Sequence, residues 1–223
     1  VNVGVDYDCV EEYIYWTEIM EGCIMRAKYD GTKLEVVIPR KQVKSPEGIA
    51  VDWMGRNIYW TDTGLDVIEA SPRIEVANMD GSNRRVLVYS DLGLPNGLTL
   101  VRATNELCFT DAGTWSIRCV DLGALNVRKV IYPIAYPYGI ASFNRTLFWT
   151  DWMNNKVQRI GMDSKDPGVP LKTYVGQSGK IFDVKAVQPC PKKASAKNPC
   201  EVNNGGCMGL CLLRPGGHTC SCP

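Results

Sequence analysis

The chain has 223 residues, with 25 basic and 24 acidic side chains and a formal net charge of +1. This balance excludes a nucleic acid or an anionic membrane surface as a partner held by bulk charge. Hydrophobic residues make up 45% and charged residues 22%, which is typical of globular rather than disordered chains. No apolar run approaches the roughly 18–20 residues of a membrane span, and the N-terminus does not look like a signal peptide. We therefore expect a soluble fragment of a longer protein, without membrane insertion.

Cysteine and histidine are unevenly distributed along the chain. Half of the cysteines lie between Cys200 and the C-terminus, which indicates an oxidising, extracellular compartment. The one histidine, His218, lies in the same segment. The chain before Cys190 therefore contains no Ser-His-Asp or Cys-His catalytic group and no histidine-ligated zinc.

A short motif occurs four times at similar intervals along the chain. Its copies are Tyr15-Trp16-Thr17-Glu18, Tyr59-Trp60-Thr61-Asp62, Cys108-Phe109-Thr110-Asp111 and Phe148-Trp149-Thr150-Asp151. A Pro-x-Gly triplet, beginning at Pro46, Pro95 or Pro137, precedes each of the last three copies, and an Asp-Gly turn or a degenerate form of it follows each copy. Each unit reads as short runs rich in aromatic and β-branched residues with turn signals between them, which predicts the four strands of a β-propeller blade.

The repeats do not add up to a complete ring. About 188 residues, at roughly 42 per blade, make about four and a half blades. The second unit is also unusual, because the stretch from its motif to its Asp-Gly turn, 59–80, is longer than the equivalent stretches 15–30 and 108–121. Two interpretations stay open: a bulged hairpin, or a whole blade missing between Ala70 and Ser71. The last unit stops after one predicted strand, at 180–187, which an N-terminal piece would join to close the ring.

The C-terminal tail has too few apolar residues for a core, so disulfides must hold it. Its spacing, C-x6-C-x3-C-x8-C-x-C, resembles an EGF-like module cut before its sixth cysteine. Tyr-Trp-Thr-Asp repeats followed by such a module resemble the low-density-lipoprotein-receptor class B (YWTD) propellers and, within that class, the nidogen (entactin) family. The stretches that carry the second resemblance are Val3-Gly4-Val5-Asp6-Tyr7-Asp8-Cys9, Gly93-Leu94-Pro95-Asn96-Gly97-Leu98-Thr99, Asp111-Ala112-Gly113-Thr114 and Tyr136-Pro137-Tyr138.

The resemblance implies an all-β fold. We expect a YWTD β-propeller at 1–189, six-bladed in the family and here short by about a blade or more, a linker at 190–198 and an incomplete EGF-like module at 199–223. The module pattern implies the disulfides Cys200–Cys211 and Cys207–Cys220 and leaves Cys222 without its partner. Because Ala196-Lys197-Asn198-Pro199 carries no acidic cluster, no calcium is expected there.

The family role, if it transfers, is binding of the laminin γ-chain short arm in basement membranes by a secreted matrix protein. The alternative is a propeller-EGF unit in the ectodomain of an endocytic or signalling receptor related to the low-density-lipoprotein receptor. Either is a binding module that performs no chemistry and needs no cofactor or metal.

The repeated acids and tryptophans are interpreted as structural, because their strict repetition fits blade architecture. The acids, at strand ends beside turns, should accept backbone hydrogen bonds. They are Glu18, Asp62, Asp111 and Asp151. The tryptophans should fill the core, and they are Trp16, Trp60 and Trp149.

Candidate partner contacts come from positions that differ between units. The residue between Pro and Gly begins an inner strand, so it should lie at one mouth of the central channel, where repeat proteins place partner-specific variation. These residues are Glu47, Asn96, Tyr138 and, at the aligned place of the last unit, Lys180. Residues just past the motif belong to the same face: Ile19, Thr63, Ala112 and Trp152. Trp152 is a candidate anchor with burial against the next blade as its alternative, and Tyr136 and Trp115 are weaker candidates.

The other cysteines and one sequon complete the candidate sites. Cys108 and Cys119 flank a turn and should face each other across antiparallel strands, within disulfide reach. Cys9 and Cys190 end the first and last inner strands. In a closed ring they would be neighbours and could form a disulfide, which leaves Cys23 either buried or without its partner. Asn144-Arg145-Thr146 is the one N-x-S/T sequon and lies in a predicted turn, so we expect glycosylation of Asn144.

The enzymatic alternative is a propeller hydrolase with calcium in its channel. Glu47 and Asn96 are suitable ligand types for calcium. Tyr138 and Lys180 are not, and the propeller segment contains no histidine to act as a general base. The sequence therefore favours binding over catalysis.

Overall fold

The computed structural model describes residues 2–64, 71–164, 169–173, 179–187, 198–214 and 217–221. Strands dominate these ranges, and one short 3-10 segment, Asn203–Gly206, accompanies them. None of the described segments forms a helix with the length and hydropathy of a membrane span. The chain divides into two compact units, Val1–Ser90 with Pro189–Pro223, and Asp91–Gln188.

The first unit contains blades 1 and 2, each a four-stranded antiparallel sheet in sequential order. Blade 1 comprises β1 (Asn2–Asp8), β2 (Tyr13–Glu18), β3 (Cys23–Lys28) and β4 (Glu35–Ile38). Blade 2 comprises β5 (Pro46–Asp52), β6 (Asn57–Asp62), β7 (Arg73–Asn78) and β8 (Arg85–Val88). In blade 2 the first residue of β5, Pro46, pairs with the last residue of β6, Asp62, so the Pro-x-Gly triplet and the end of the motif lie at the same edge.

A shared apolar core holds these two blades together. It includes Tyr15 and Ile24 of blade 1 and Ile49, Ile58 and Trp60 of blade 2, all at most 1% exposed. Their burial removes large aromatic and aliphatic side chains from water, which is the main stabilising contribution in such a sheet stack.

The EGF-like segment belongs to the first unit. It contains the hairpin β17 (Leu210–Arg214) and β18 (Gly217–Ser221) and a small cystine core. The buried Asn57 side chain donates a hydrogen bond to the Cys211 carbonyl at 2.8 Å, which attaches the hairpin to blade 2. The domain boundaries at 189 and 199 and the linker at 190–198 stay predictions, because residues 188–197 lie outside the described ranges.

The second unit contains blades 3 and 4, with the same strand order. Blade 3 comprises β9 (Pro95–Val101), β10 (Glu106–Asp111), β11 (Ser116–Asp121) and β12 (Val127–Ile131). Blade 4 comprises β13 (Pro137–Phe143), β14 (Thr146–Asp151), β15 (Lys156–Gly161) and β16 (Val169–Thr173). Again the first residue of each opening strand faces the motif acid: Pro95 pairs with Asp111 and Pro137 with Asp151.

The structure corrects one predicted strand and shows regular strand pairing in the unusual second unit. Residues 180–187, predicted as a strand, carry no regular secondary structure. Side-chain groups hold this segment instead: the Ile181 amide donates to Asn155 Oδ1 at 3.2 Å. In the second unit of the repeat, β6 and β7 pair without a register shift. The extra residues fall on 65–70, which lie outside the described ranges, so pairing alone does not choose between a bulge and a missing blade.

Candidate partner-binding site

The motif threonine connects the opening strands of neighbouring blades within each unit. Its hydroxyl accepts a hydrogen bond from a glycine amide in its own blade, as Thr110 does from Gly97 at 2.9 Å. The same hydroxyl donates a hydrogen bond to a backbone carbonyl of the next opening segment. The pairs are Thr17–Glu47 at 2.7 Å, Thr110–Tyr138 at 2.5 Å and Thr150–Phe182 at 3.2 Å. Glu47, Tyr138 and Phe182 are therefore structurally equivalent positions.

This equivalence corrects the assignment of Lys180. Gly97 lies against the Tyr138 carbonyl, and Gly139 lies in the same way against the Phe182 carbonyl and Asp183. Lys180 is exposed two residues earlier, so Phe182 is the residue that sequence reasoning missed. The last unit has no Pro-x-Gly triplet to fix the alignment. The signal that would have found it is spacing, because Phe182 precedes Val184 as Tyr138 precedes Ile140.

Asp62, Asp111 and Asp151 have structural roles, as predicted for the motif acids. Asp62 accepts hydrogen bonds from the Ser45 and Lys44 amides at 2.8 and 2.9 Å. Asp111 accepts from the Leu94 amide at 2.8 Å and from Arg118 at 2.7 Å. These contacts tie each motif to the loop that leads into its own opening strand. Trp60 and Trp149 are fully buried in the cores, whereas Trp16 is partly exposed, so the prediction that it fills the core is only partly right.

A backbone bond defines a second set of equivalent positions, one at the start of each hairpin and one in the loop before each opening strand. The backbone amide of the residue just past the motif donates a hydrogen bond to a backbone carbonyl of that loop. The pairs are Thr63–Ser45 at 3.0 Å, Ala112–Leu94 at 2.9 Å and Trp152–Tyr136 at 2.8 Å. Blades 2, 3 and 4 thus each present three matched positions: a loop residue, the residue between Pro and Gly, and the first hairpin residue. In blades 2, 3 and 4 respectively they are Ser45-Glu47-Thr63, Leu94-Asn96-Ala112 and Tyr136-Tyr138-Trp152.

Blade 4 places an aromatic ring at all three positions, and Phe182 joins them. Trp152 stacks on Tyr138, with ring centroids 5.4 Å apart and an interplanar angle of 27°. It also contacts Tyr136 at 5.5 Å and Phe182 at 5.3 Å. Tyr138 meets Phe182 edge-on at 5.8 Å. Tyr136, Tyr138, Trp152 and Phe182 form what we call the aromatic cluster.

The aromatic cluster is partly open to solvent. Its first three residues are half-buried and Phe182 is 54% exposed. The hairpin that carries Trp152 is fixed by Asp151, which accepts hydrogen bonds from the amide and the side chain of Asn154 at 2.9 and 2.7 Å. Asn155 of the same hairpin holds Ile181, next to Phe182. The rings are therefore pre-positioned, which lowers the entropic cost of binding a partner.

The remaining candidate contacts are more buried than predicted. Glu47, Asn96 and Thr63 are 9%, 3% and 2% exposed. The Asn96 amide points to the Pro137 carbonyl at 3.5 Å, and the Thr63 hydroxyl donates to Ser45 at 3.3 Å. A position can vary between repeats because its packing neighbours vary, and these side chains illustrate that.

The other predicted contacts divide between turns and buried sites. Ile19 is partly exposed in a tight turn, where its carbonyl accepts from Gly22 at 3.1 Å. Ala112 is buried, and Trp115 is 57% exposed. The prediction that the opening-strand residues of all blades surround one opening stays a prediction, because Glu47 lies in the first unit and Asn96, Tyr138 and Phe182 lie in the second.

The cysteines are largely paired. The structure contains the disulfides Cys108–Cys119, Cys200–Cys211 and Cys207–Cys220 at the predicted positions. Cys9 is disulfide-bonded, while its predicted partner Cys190 and also Cys222 lie outside the described residues. Cys23 is free and buried, and burial raises the pKa of its thiol.

Among the described residues, one group of His, Cys, Asp or Glu side chains brings its ligand atoms close enough together to hold a metal ion: Cys207, His218 and Cys220. Two of its members are joined to each other in a disulfide, so their sulfurs are not thiolate ligands.

Comparison with known proteins places the chain among receptor and matrix propellers. The profile of the low-density lipoprotein receptor repeat class B family matches residues 12–53 and 56–100. Nidogen from Drosophila melanogaster is 31% identical over an alignment of 268 positions that covers 99% of this chain and 19% of that protein. The vitellogenin receptor of Solenopsis invicta is 30% identical over 98% of this chain and 12% of its own length. The chain thus spans less than a fifth of these relatives.

Solved structures agree on the fold. The crystal structure of a nidogen/laminin complex has a TM-score of 0.54 and 29% identity, covering 83% of this chain and 84% of that chain. A gluconolactonase from Xanthomonas campestris has a TM-score of 0.65 and 18% identity over 82% of this chain and 64% of its own, so it shares the fold alone.

The alignment with nidogen exceeds the length of this chain by 45 positions, which is about the length of one propeller blade. The alignment with the vitellogenin receptor, over 222 positions, has no such excess. The bulged hairpin and the missing blade therefore both stay open for the second unit. Residues 12–53 and 56–100 match the low-density lipoprotein receptor class B (YWTD) repeat family, and the chain as a whole is similar to a short propeller segment of this kind followed by an EGF-like module.

Proposed function

We propose that this chain is a secreted basement-membrane module that binds a laminin, through the short arm of the γ chain, with the aromatic cluster as its main contact surface. The single observation that carries the proposal is that blade 4 places rings at all three matched positions, whereas none of the matched positions in blades 2 and 3 carries a ring. The similarity to a nidogen structure that was crystallised with laminin supports the choice of partner.

The chemistry of the aromatic cluster suits protein recognition. Tyrosine and tryptophan are enriched among interface residues that contribute most to affinity, because they bury a large apolar area with few rotatable bonds. Three half-buried rings beside a more exposed Phe182 supply such an area.

The same positions argue against the calcium-dependent hydrolase. In the second unit the opening-strand residues are Asn96, Tyr138 and Phe182, and calcium requires several oxygen ligands, which aromatic rings do not supply. The motif carboxylates Asp111 and Asp151 already accept hydrogen bonds from their own blades. We therefore propose a binding role without catalysis.

Alanine substitution with affinity measurement tests the proposal. Trp152→Ala should weaken binding to a recombinant laminin γ-chain short-arm fragment by about 30-fold or more, the effect of losing about 2 kcal/mol at an interface anchor. Phe143→Ala is the matched control, because Phe143 is a 46% exposed aromatic residue at the other end of the same strand, β13. Surface plasmon resonance gives the dissociation constants, and thermal melts establish that both variants are folded.

Unchanged affinity of a folded Trp152→Ala protein would remove the aromatic cluster from the interface. If the unmodified chain does not bind laminin at all, the receptor alternative gains weight. The 30% identity to a vitellogenin receptor favours that alternative. A binding screen against lipoprotein ligands would then be the next measurement.

A further inference from the structure

The tip of the β13–β14 hairpin differs from the corresponding tips of the other blades. In blades 1, 2 and 3 the first and second strands are joined by four residues, at 9–12, 53–56 and 102–105. In blade 4 two residues, Asn144 and Arg145, make the turn. Phe143 and Thr146 face each other as the closing pair. The whole sequon Asn144-Arg145-Thr146 is therefore on the tightest of these four turns.

The Asn144 side chain makes no hydrogen bond among the described residues. Asn144 and Arg145 are exposed, and Thr146 is partly exposed. The backbone of Asn144 is left-handed, with a φ of 53°, a conformation that asparagine adopts more readily than most residues. The neighbouring Arg145 side chain is held by Asp163 in two hydrogen bonds of 2.7 and 2.9 Å, so it is committed to another group.

We infer that Asn144 carries an N-linked oligosaccharide. In the reaction Asn144 Nδ2 forms a bond to C1 of the sugar of a lipid-linked oligosaccharyl pyrophosphate. The C1–O bond to the pyrophosphate breaks, the lipid pyrophosphate leaves, and the amide loses one proton, with no change in oxidation state. The residue between Asn144 and Thr146 is arginine, so the proline that blocks this sequon is absent.

The fold accommodates the product of this reaction. Transfer occurs on the chain as it enters the secretory pathway, so the folded state decides whether the bulky sugar can remain outside the core. At Asn144 the attachment atom is at a solvent-exposed tip, where a glycan displaces no buried contact.

The modification is independent of the proposed laminin site. Tyr138 lies near the start of β13 and Asn144 just after its end, so the two are about 20 Å apart along the strand. The glycan therefore leaves the aromatic cluster accessible, and a failure to bind laminin would not bear on the inference.

The test compares four versions of the chain, each secreted from a eukaryotic host. Mass spectrometry gives the intact mass of each protein before and after treatment with peptide N-glycosidase F, which removes N-linked oligosaccharides. The unmodified sequence and Thr146→Ser should both lose the mass of an oligosaccharide, because serine keeps the sequon. Asn144→Gln and Thr146→Ala should show the bare polypeptide mass before and after treatment. A folded, secreted unmodified chain that loses no mass on treatment, or an Asn144→Gln protein that still does, would overturn the assignment. Thermal melts identify any variant whose loss of glycan reflects misfolding.

Discussion

Blades 3 and 4 belong to one unit and share one framework, yet they use the same edge differently. In blade 3 the residue after the motif is a buried alanine, Ala112, and Asp111 holds the preceding loop through the Gly93 and Leu94 amides. In blade 4 the corresponding residue is Trp152, which stacks on rings from the loop and from the opening strand. A repeated fold thus keeps its core contacts and changes a few edge positions, and in blade 4 these changed positions form the contact surface that we propose.

The largest expected effect is the loss of stability when a core aromatic residue common to blades 3 and 4 is truncated. Phe109 and Trp149 are equivalent core residues of the two blades, and both are fully buried. Replacing either by alanine should lower the free energy of unfolding by about 3–5 kcal/mol, because a large cavity remains after truncation. Denaturant titration followed by circular dichroism measures both losses. A cost below about 1 kcal/mol for Trp149→Ala would show that blade 4 is not packed like blade 3.

A smaller loss of stability is expected when a motif acid is replaced by asparagine, and this loss should be larger for Asp111 than for Asp151. Asp111 forms an ion pair of 2.7 Å with Arg118, whose side chain is 6% exposed. Asp111→Asn leaves a buried guanidinium without its counter-ion, so we expect a loss of about 3 kcal/mol. Asp151 accepts its hydrogen bonds from the neutral side chains of Asn154 and Gln158, so Asp151→Asn should cost about 1 kcal/mol. Equal losses in the same titration would contradict the expectation that the ion-paired Asp111 contributes more stability than Asp151, whose side-chain partners are neutral.

Much of the fold follows from the sequence, because the motif combines periodic strands with fixed turn signals. The position of the Cys108–Cys119 bridge follows from antiparallel geometry. The structural use of Asp62 and Asp111 follows from the strict repetition of the motif acid. The EGF-like pairing followed from family resemblance instead, since spacing alone allows several connectivities.

The candidate site was less predictable, for two physical reasons. Variation between repeats pointed to the edge that carries the aromatic cluster, but burial at that edge depends on the neighbouring side chains, so Glu47 and Asn96 are covered while Tyr138 is half-open. Phe182 was missed because the last unit lacks the Pro-x-Gly signal that aligned the others. Its role depends on a contact with Thr150 that is distant in sequence.

The most direct test of the aromatic cluster as a contact surface is hydroxyl-radical footprinting of the chain with and without a laminin γ-chain short-arm fragment. Mass spectrometry then gives the oxidation rate of each aromatic side chain. Our account predicts that Trp152, Tyr138 and Phe182 become protected in the complex, while Phe143 and the exposed Tyr132 keep their rates. A stable complex in which Trp152 and Tyr138 are oxidised as fast as in the free chain would contradict it.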